Sequence, residues 1–363
     1  MKRMRLVITV LVALAMFASA CKPAAPPATQ APTEAPVVAP TQAPTTPPEP
    51  AKKQSYAMVT DEAGLGDQGF NDAAWEGMTQ AKDEFGADIK VVESREQAQY
   101  VPNFSTLAEQ KEDLIVGVGF LLNSAVAEVA PQFPDTHFAL VDSVVDEPNV
   151  ASLLFKEHEG SFLVGAIAGL MTKTGVVGFV GGRESDLLKK FESGYKAGVM
   201  TTNPNAKVLV SYTGTFADPA KGKEMANAQY DQNADIVYEV AGLTGTGVIA
   251  AAKDRGLFAI GVDRDKNYLA PENVITSMIK RVDQAVYNAA KMVAEGNFKG
   301  GSYEYGVKEG GIDIAPTTAK MVPPAVLDVA LKLKQMIIDG TLVPPKTLDE
   351  LASFTPPQIE LPK

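Results

Sequence analysis

The chain has 363 residues, 45% of them apolar, with 33 lysines and arginines against 44 aspartates and glutamates and a single cysteine. The net charge of −11, with no basic stripe anywhere, argues against a nucleic-acid partner. One cysteine leaves no internal disulfide and no cysteine metal centre.

In chain order, the first 21 residues, MKRMRLVITVLVALAMFASAC, read as a secretory signal. Lys2, Arg3 and Arg5 precede an apolar run from Leu6 to Phe17, and Ala18-Ser19-Ala20 leads to Cys21. The apolar run is too short to span a membrane as a mature helix. Its end resembles a lipobox, which makes Cys21 the expected lipidated first residue of the mature chain; secretion with an unpaired thiol is the alternative. Residues 22–54 are rich in proline, alanine and threonine and read as a semi-rigid tether. Some 309 residues follow, from Ser55 to Lys363, a length that suits two lobes. Beyond the signal no apolar run reaches eighteen residues, so no membrane span is expected there.

Strands and helices alternate along this body. YAMVT (56–60) is a short apolar run, and residues 70–85 form a helix with Gly86 as its stop. IKVVES (89–94) is a strand, 101–112 a helix, DLIVGVG (113–119) a buried strand, 123–133 a helix and HFALVD (137–142) a strand. The second series runs helix 160–173, strand 175–182, helix 187–203, strand 207–212, helix 219–233, strand 235–242, helix 245–256 and strand 258–263. Short apolar strands between helices predict an α/β fold of parallel sheets covered on both faces, here as two doubly wound lobes.

Ligands of open parallel sheets bind beyond the carboxyl ends of the strands. YAMVT leads to Asp61, HFALVD ends in Asp142, DIVYEVAG ends in Gly242, and FAIGVD ends in Asp263. An aspartate at such a place can simply cap the next helix; four small or acidic strand ends together favour a pocket. GLTGTG (242–247) follows a strand and opens a helix, so it offers free N–H groups. Its spacing matches neither the dinucleotide fingerprint nor the ATP loop. Converging carboxylates repel phosphate and accept hydrogen bonds from hydroxyls, so a neutral polyol or nucleoside is expected.

DEAGLGDQGFNDAAWEG (61–77) and YTGTFADPAKG (212–222) place Phe70 and Phe216 on one loop of each lobe. The two rings either anchor their turns or clamp a flat ligand, at about 1–3 kcal/mol per stacked base. Asn71 offers both donor and acceptor to the edge of a base. Trp75 reads as a core residue. His137 and His158, the only histidines, read as structural, too few and too poorly accompanied for a metal site.

These segments, with VGFVGG, FESGYKAG, ADIVYEVAGLTGTGVIAAAK, AIGVDRDKNYLAP and VITSMIKRVDQAVY, resemble the basic membrane protein family of bacterial lipoproteins. Those are the purine-nucleoside receptor (PnrA-like) substrate-binding proteins of ABC transporters, and the matching segments span roughly residues 56–320 in the family's order. The resemblance implies a type I periplasmic-binding fold with two lobes around a hinge. It implies that Phe70 and Phe216 sandwich the purine, Asn71 bonds its edge, and Asp61 and Asp263 hold the ribose hydroxyls. Gly242 would lie at the sugar with Lys280 nearby, and Asp142 at the base edge. Some relatives bind other flat ligands, flavins included, so a sugar, a flavin or a signalling molecule is the alternative ligand.

Two departures stand out. The family usually has serine where this chain has Gly69, which would loosen the turn. Arg183 and Glu184 stand where relatives often have an apolar-proline stretch, which would alter the pocket rim or the lobe contacts. In this fold the chain crosses between lobes three times. The first lobe is expected over about 55–159 plus a segment near 280–305, the second over about 160–279 plus 306–363. The resemblance implies a monomer that closes on its ligand and docks on a membrane permease, at the extracytoplasmic face of the membrane or in the periplasm. No cofactor, no metal and no chemical step are expected. A nucleoside hydrolase would need clustered aspartates on a metal such as calcium, and no such run is present.

Overall fold

The structure, a computed structural model, describes residues 53–361. The signal, Cys21 and nearly all of the tether lie outside the described residues. Twelve strands form two six-stranded sheets among the described residues. The first holds β1 (Ser55–Val59), β2 (Asp88–Val92), β3 (Leu114–Val118), β4 (His137–Val141), β5 (Val150–Phe155) and β11 (Gly301–Tyr305). The second holds β6 (Val176–Gly181), β7 (Lys207–Tyr212), β8 (Ile236–Val240), β9 (Phe258–Asp263), β10 (Val274–Lys280) and β12 (Ile312–Ile314).

The spatial orders are β2-β1-β3-β4-β5-β11 and β7-β6-β8-β9-β10-β12, the same winding twice. All neighbours pair in parallel except β12, which runs antiparallel to β10 at the edge. β3 and β8 are buried along their whole length, which is why they read as continuous apolar runs. The two doubly wound parallel sheets expected from the sequence are present.

The helices are α1 (Phe70–Phe85), α2 (Tyr100–Glu109), α3 (Asn123–Val129), α4 (Glu157–Met171), α5 (Asp186–Thr202) and α6 (Pro219–Asp231). They continue with α7 (Gly245–Arg255), α8 (Val282–Ala294), α9 (Thr318–Met321), α10 (Pro324–Ile338) and α11 (Leu348–Ser353). Local chemistry sets their starts. Ser185 caps α5 by accepting from the Leu188 N–H, and Asp218 caps α6 by accepting from Lys221, with Pro219 in the first turn. Trp75 of α1 is half-buried and packs on the main apolar cluster.

The chain passes from the first sheet to the second after β5, back after β10, and over again after β11. At these passages the strands' ends lie side by side: Lys156 donates its N–H to Tyr305, and Arg281 to Gly311. α8 packs against α1 on the first lobe, while α10 and α11 pack against α4 and α5. The C-terminal segment is held there by Ser193, whose Oγ donates to the Thr347 carbonyl at 2.7 Å.

Candidate binding site between the lobes

The shared strand order places one reversal of winding in each sheet, between β1 and β3 and between β6 and β8. Such switch points are where open α/β sheets leave a crevice beyond the carboxyl ends of their strands. One cavity lies here. It is lined from the first lobe by Asp61, Asp67, Phe70, Asn71, Phe120 and Asp142, and from the second by Leu187, Phe191, Phe216, Gly242, Asp263 and Lys280, among others. The space among these residues is about 510 Å³ and opens in part to solvent, a slot between the lobes rather than a closed chamber.

All eight residues singled out from the sequence, Asp61, Phe70, Asn71, Asp142, Phe216, Gly242, Asp263 and Lys280, line this one cavity. Phe70 and Phe216 come from opposite lobes. Phe216 is 9% exposed, and its ring packs so closely on Gly182 that a Cβ there would stand 2.2 Å from the ring. Phe120, which sequence reasoning missed, crosses from the first lobe to meet Phe216 edge-on, with ring centres 6.2 Å apart.

Asp142 and Asp263 end equivalent strands of the two sheets, and both have a φ of +68°. Non-glycine residues seldom adopt this conformation, and strained residues gather at binding sites. Asn71 is fully buried; its amide donates to Asp61 at 2.9 Å and to Asp67 at 3.2 Å, while its Oδ1 has no hydrogen-bond partner. Asp142 Oδ1 likewise has none.

Asp67 is a second residue that sequence reasoning passed over. Its carboxylate accepts the backbone N–H groups of Gly69, Asn71 and Asp72 at 3.0, 2.8 and 3.2 Å, so it caps α1 and fixes Asn71. Its position two residues before the helix cap was the available signal. The turn is therefore firmly tied, contrary to the loosening expected from Gly69. A Cβ at Gly69 would come within 3.2 Å of Asp263 Oδ2 and of Lys266 Nζ. Glycine thus lets the first lobe's turn approach the buried Lys266–Glu239 pair of the second lobe, whose Nζ and Oε1 are 2.9 Å apart.

Burial dominates the electrostatics. It pushes the Asp61 carboxyl up to about 7 against the hydrogen bonds from Asn71 and Ala63, and Asp263 up to about 6 against Lys266 and Lys280. Burial also raises Asp142, with Lys280 opposing. Lys280 Nζ lies 2.6 Å from Asp142 and 3.2 Å from Glu157, over the rings of Phe70, Phe155 and Phe191 at 5.1, 4.9 and 5.5 Å. Burial works to discharge it, but those carboxylates outweigh burial and hold it well above the ordinary lysine range. A slot with apolar walls, aromatic faces and carboxylates suits a flat ligand carrying hydroxyl and N–H donors. Among the described residues, no group of histidine, cysteine or acidic side chains is placed to hold a metal ion.

Comparison with known proteins agrees with this geometry. Residues 54–347 match the model of a family described as ABC transporter substrate-binding protein PnrA-like. The chain is 39% identical over 319 residues to the CD4+ T-cell-stimulating antigen of Listeria monocytogenes, covering 82% of this chain and 89% of that protein. It is 36% identical to the ABC transporter nucleoside-binding protein BmpA of Lactococcus lactis, covering 80% and 88%. A solute-binding protein of an ABC transporter from Aeropyrum pernix superposes with a TM-score of 0.76 at 33% identity, covering 83% of this chain and 96% of that one.

Proposed function

The chain belongs to the PnrA-like family of ABC transporter substrate-binding proteins, and from that premise we propose that it captures purine nucleosides in the slot between its lobes. Members of this family bind small ligands and deliver them to a permease; they are transport proteins rather than enzymes. In our reading Phe70 and Phe216 stack on the two faces of the base. Asn71 Oδ1 and Asp142 Oδ1, acceptors without partners, take N–H donors from its edge. Asp61 and Asp263 accept the ribose hydroxyls. Hinge motion at the three passages opens and closes the slot. A lipid on Cys21 and the proline-rich tether hold the protein at the extracytoplasmic face of a membrane, as a monomer. The observation that carries this reading is that rings from both lobes meet three buried carboxylates, Asp61, Asp67 and Asp263, and the half-buried Asp142 in one narrow slot.

A thermal-shift screen tests it. A purine nucleoside is expected to raise the melting temperature with no release of free ribose. A shift with sugars or flavin alone would replace the ligand, and released ribose would make the protein an enzyme.

The pH dependence follows from the buried acids. Ribose hydroxyls bond more strongly to ionised carboxylates than to neutral ones, so nucleoside affinity should rise as pH climbs through about 6 to 7 and level off above. Stability of the unliganded protein runs the other way. Asp61's folded value lies above its unfolded one, so its contribution is fully present below about 3.8 and is lost as pH rises through about 7. Asp61→Asn keeps an oxygen for Asn71 and Ala63. It should raise the melting temperature by a few degrees at pH 8, change little at pH 4, and weaken nucleoside binding at least tenfold. Melting curves and calorimetry at the two pH values check this; equal melting shifts at both would contradict it.

A further inference from the structure

Glu62 stands next to Asp61, and its side chain faces the other lobe. Its carboxylate accepts from Arg183 Nε at 3.1 Å and Nη2 at 2.6 Å, from Thr215 Oγ1 at 3.2 Å, and from the backbone N–H of Phe216 at 2.9 Å. All these donors belong to the second lobe, Arg183 on the loop after β6 and the other two on the loop after β7. Burial alone would raise the Glu62 carboxyl, but the hydrogen bonds from Arg183 and Phe216 outweigh it and hold the group below its ordinary value. Arg183, with Glu184, forms the second of the two departures from the family resemblance noted in the sequence, and this contact is what it makes.

The Phe216 loop is also anchored within its own lobe. Thr213 Oγ1 donates to the Thr215 carbonyl at 2.8 Å, and the Thr244 N–H donates to the Phe216 carbonyl at 3.1 Å. The loop is therefore a rigid part of the second lobe, and the bonds to Glu62 form only where the lobes meet. Other bridges join the lobes but do not hold the Phe216 loop: Lys280–Asp142 is buried in the slot itself, at 2.6 Å. Arg264–Glu76 is about half exposed, and such pairs contribute little. Glu62's side chain is 11% exposed and satisfies four donors, one of them on the backbone of the aromatic residue that walls the slot.

We infer that Glu62 is a positioning residue that latches the Phe216 loop to the first lobe, so that ligand release requires breaking its bonds to Arg183, Thr215 and Phe216. The inference rests on the slot being the nucleoside site, and it concerns release rather than recognition. Breaking a hydrogen-bonded charge pair at an interface acts mainly on the off-rate.

The test is a chase experiment with tritiated purine nucleoside on the full chain, together with small-angle scattering of the ligand-free protein. Glu62→Ala should speed dissociation on the order of tenfold and leave the association rate nearly unchanged. Arg183→Ala, at a more exposed position, should speed it less because Thr215 and Phe216 still hold Glu62. The double variant should match Glu62→Ala, since both act through one contact. Without ligand, Glu62→Ala should scatter with a larger radius of gyration than wild type. Unchanged dissociation in Glu62→Ala, or additive effects of the two variants, would overturn the latch. If wild type retained no nucleoside but the scattering difference held, the nucleoside reading would fall and the latch would stand. Equal radii in that case would remove both.

Discussion

Replacing Phe70 or Phe216 by alanine should weaken purine nucleoside binding by about 10- to 100-fold each, since a base loses about 1–3 kcal/mol with each aromatic partner. The two rings come from different lobes, so each variant removes one wall of the slot and leaves the other. Alanine at Phe216 also removes packing, because the ring is nearly buried against Gly182 and Phe120. Leucine separates the two effects. It keeps apolar bulk and loses the flat face, so Phe216→Leu should retain most of the stability and still lose affinity. Gly182→Ala offers an independent approach: its Cβ cannot coexist with the ring where it lies, so the ring must shift although no aromatic is removed. Titration calorimetry of the four variants against one nucleoside reads all of this. Unchanged affinity in both alanine variants would mean that the rings only anchor their turns.

The second large effect concerns stability. Lys280→Met should cost about 3–5 kcal/mol, the cost of stripping a buried charge from its partners. Lys280, with a side chain only 1% exposed, bridges Asp142 and Glu157. Methionine keeps apolar bulk where the ammonium lay over Phe70, Phe155 and Phe191, but it leaves Asp142 uncompensated and Glu157 with Lys190 alone, at 3.6 Å. Adding Asp142→Asn and Glu157→Gln should restore much of the loss, because a polar group without charge is far easier to bury. The deficit of the single variant should shrink in acid, where Asp142 takes up a proton that Lys280 would otherwise oppose. Denaturant unfolding at pH 5 and pH 8 checks this. A small, pH-independent loss would show that Lys280 is not what keeps these carboxylates buried.

The alternation of helix and strand was legible because each buried parallel strand is a short apolar run between turn residues. β5 and β10 escaped notice for a topological reason. The helix after each of them packs on the other lobe, so neither has the local strand–helix partner that marks its neighbours. β11 is largely exposed and β12 has three residues, so neither carries a strong pattern. The site was legible where it follows from strand ends: Asp61, Asp142, Gly242 and Asp263 all sit there. Lys280 was reached through the family resemblance, because a lysine ending a strand has no distinguishing local signal. Phe120, Leu187 and Phe191 look like ordinary apolar residues until the lobes come together. The same holds for the pair Glu62–Arg183, 121 residues apart in sequence, and for Lys266–Glu239. Long-range charge pairing leaves no local trace, and only the departure at Arg183 drew attention to it.

The claim on which the rest depends is that two lobes close their phenyl rings on a planar base while carboxylates grip its sugar. Titration calorimetry of the full chain against guanosine, adenosine and inosine, with ribose, a hexose, a flavin and a nucleoside 5′-phosphate alongside, tests it most directly. The account predicts saturable one-to-one binding of at least one purine nucleoside, none of ribose or hexose, and at least tenfold weaker binding of the phosphate. Binding of a sugar or a flavin with no response to any nucleoside would contradict it.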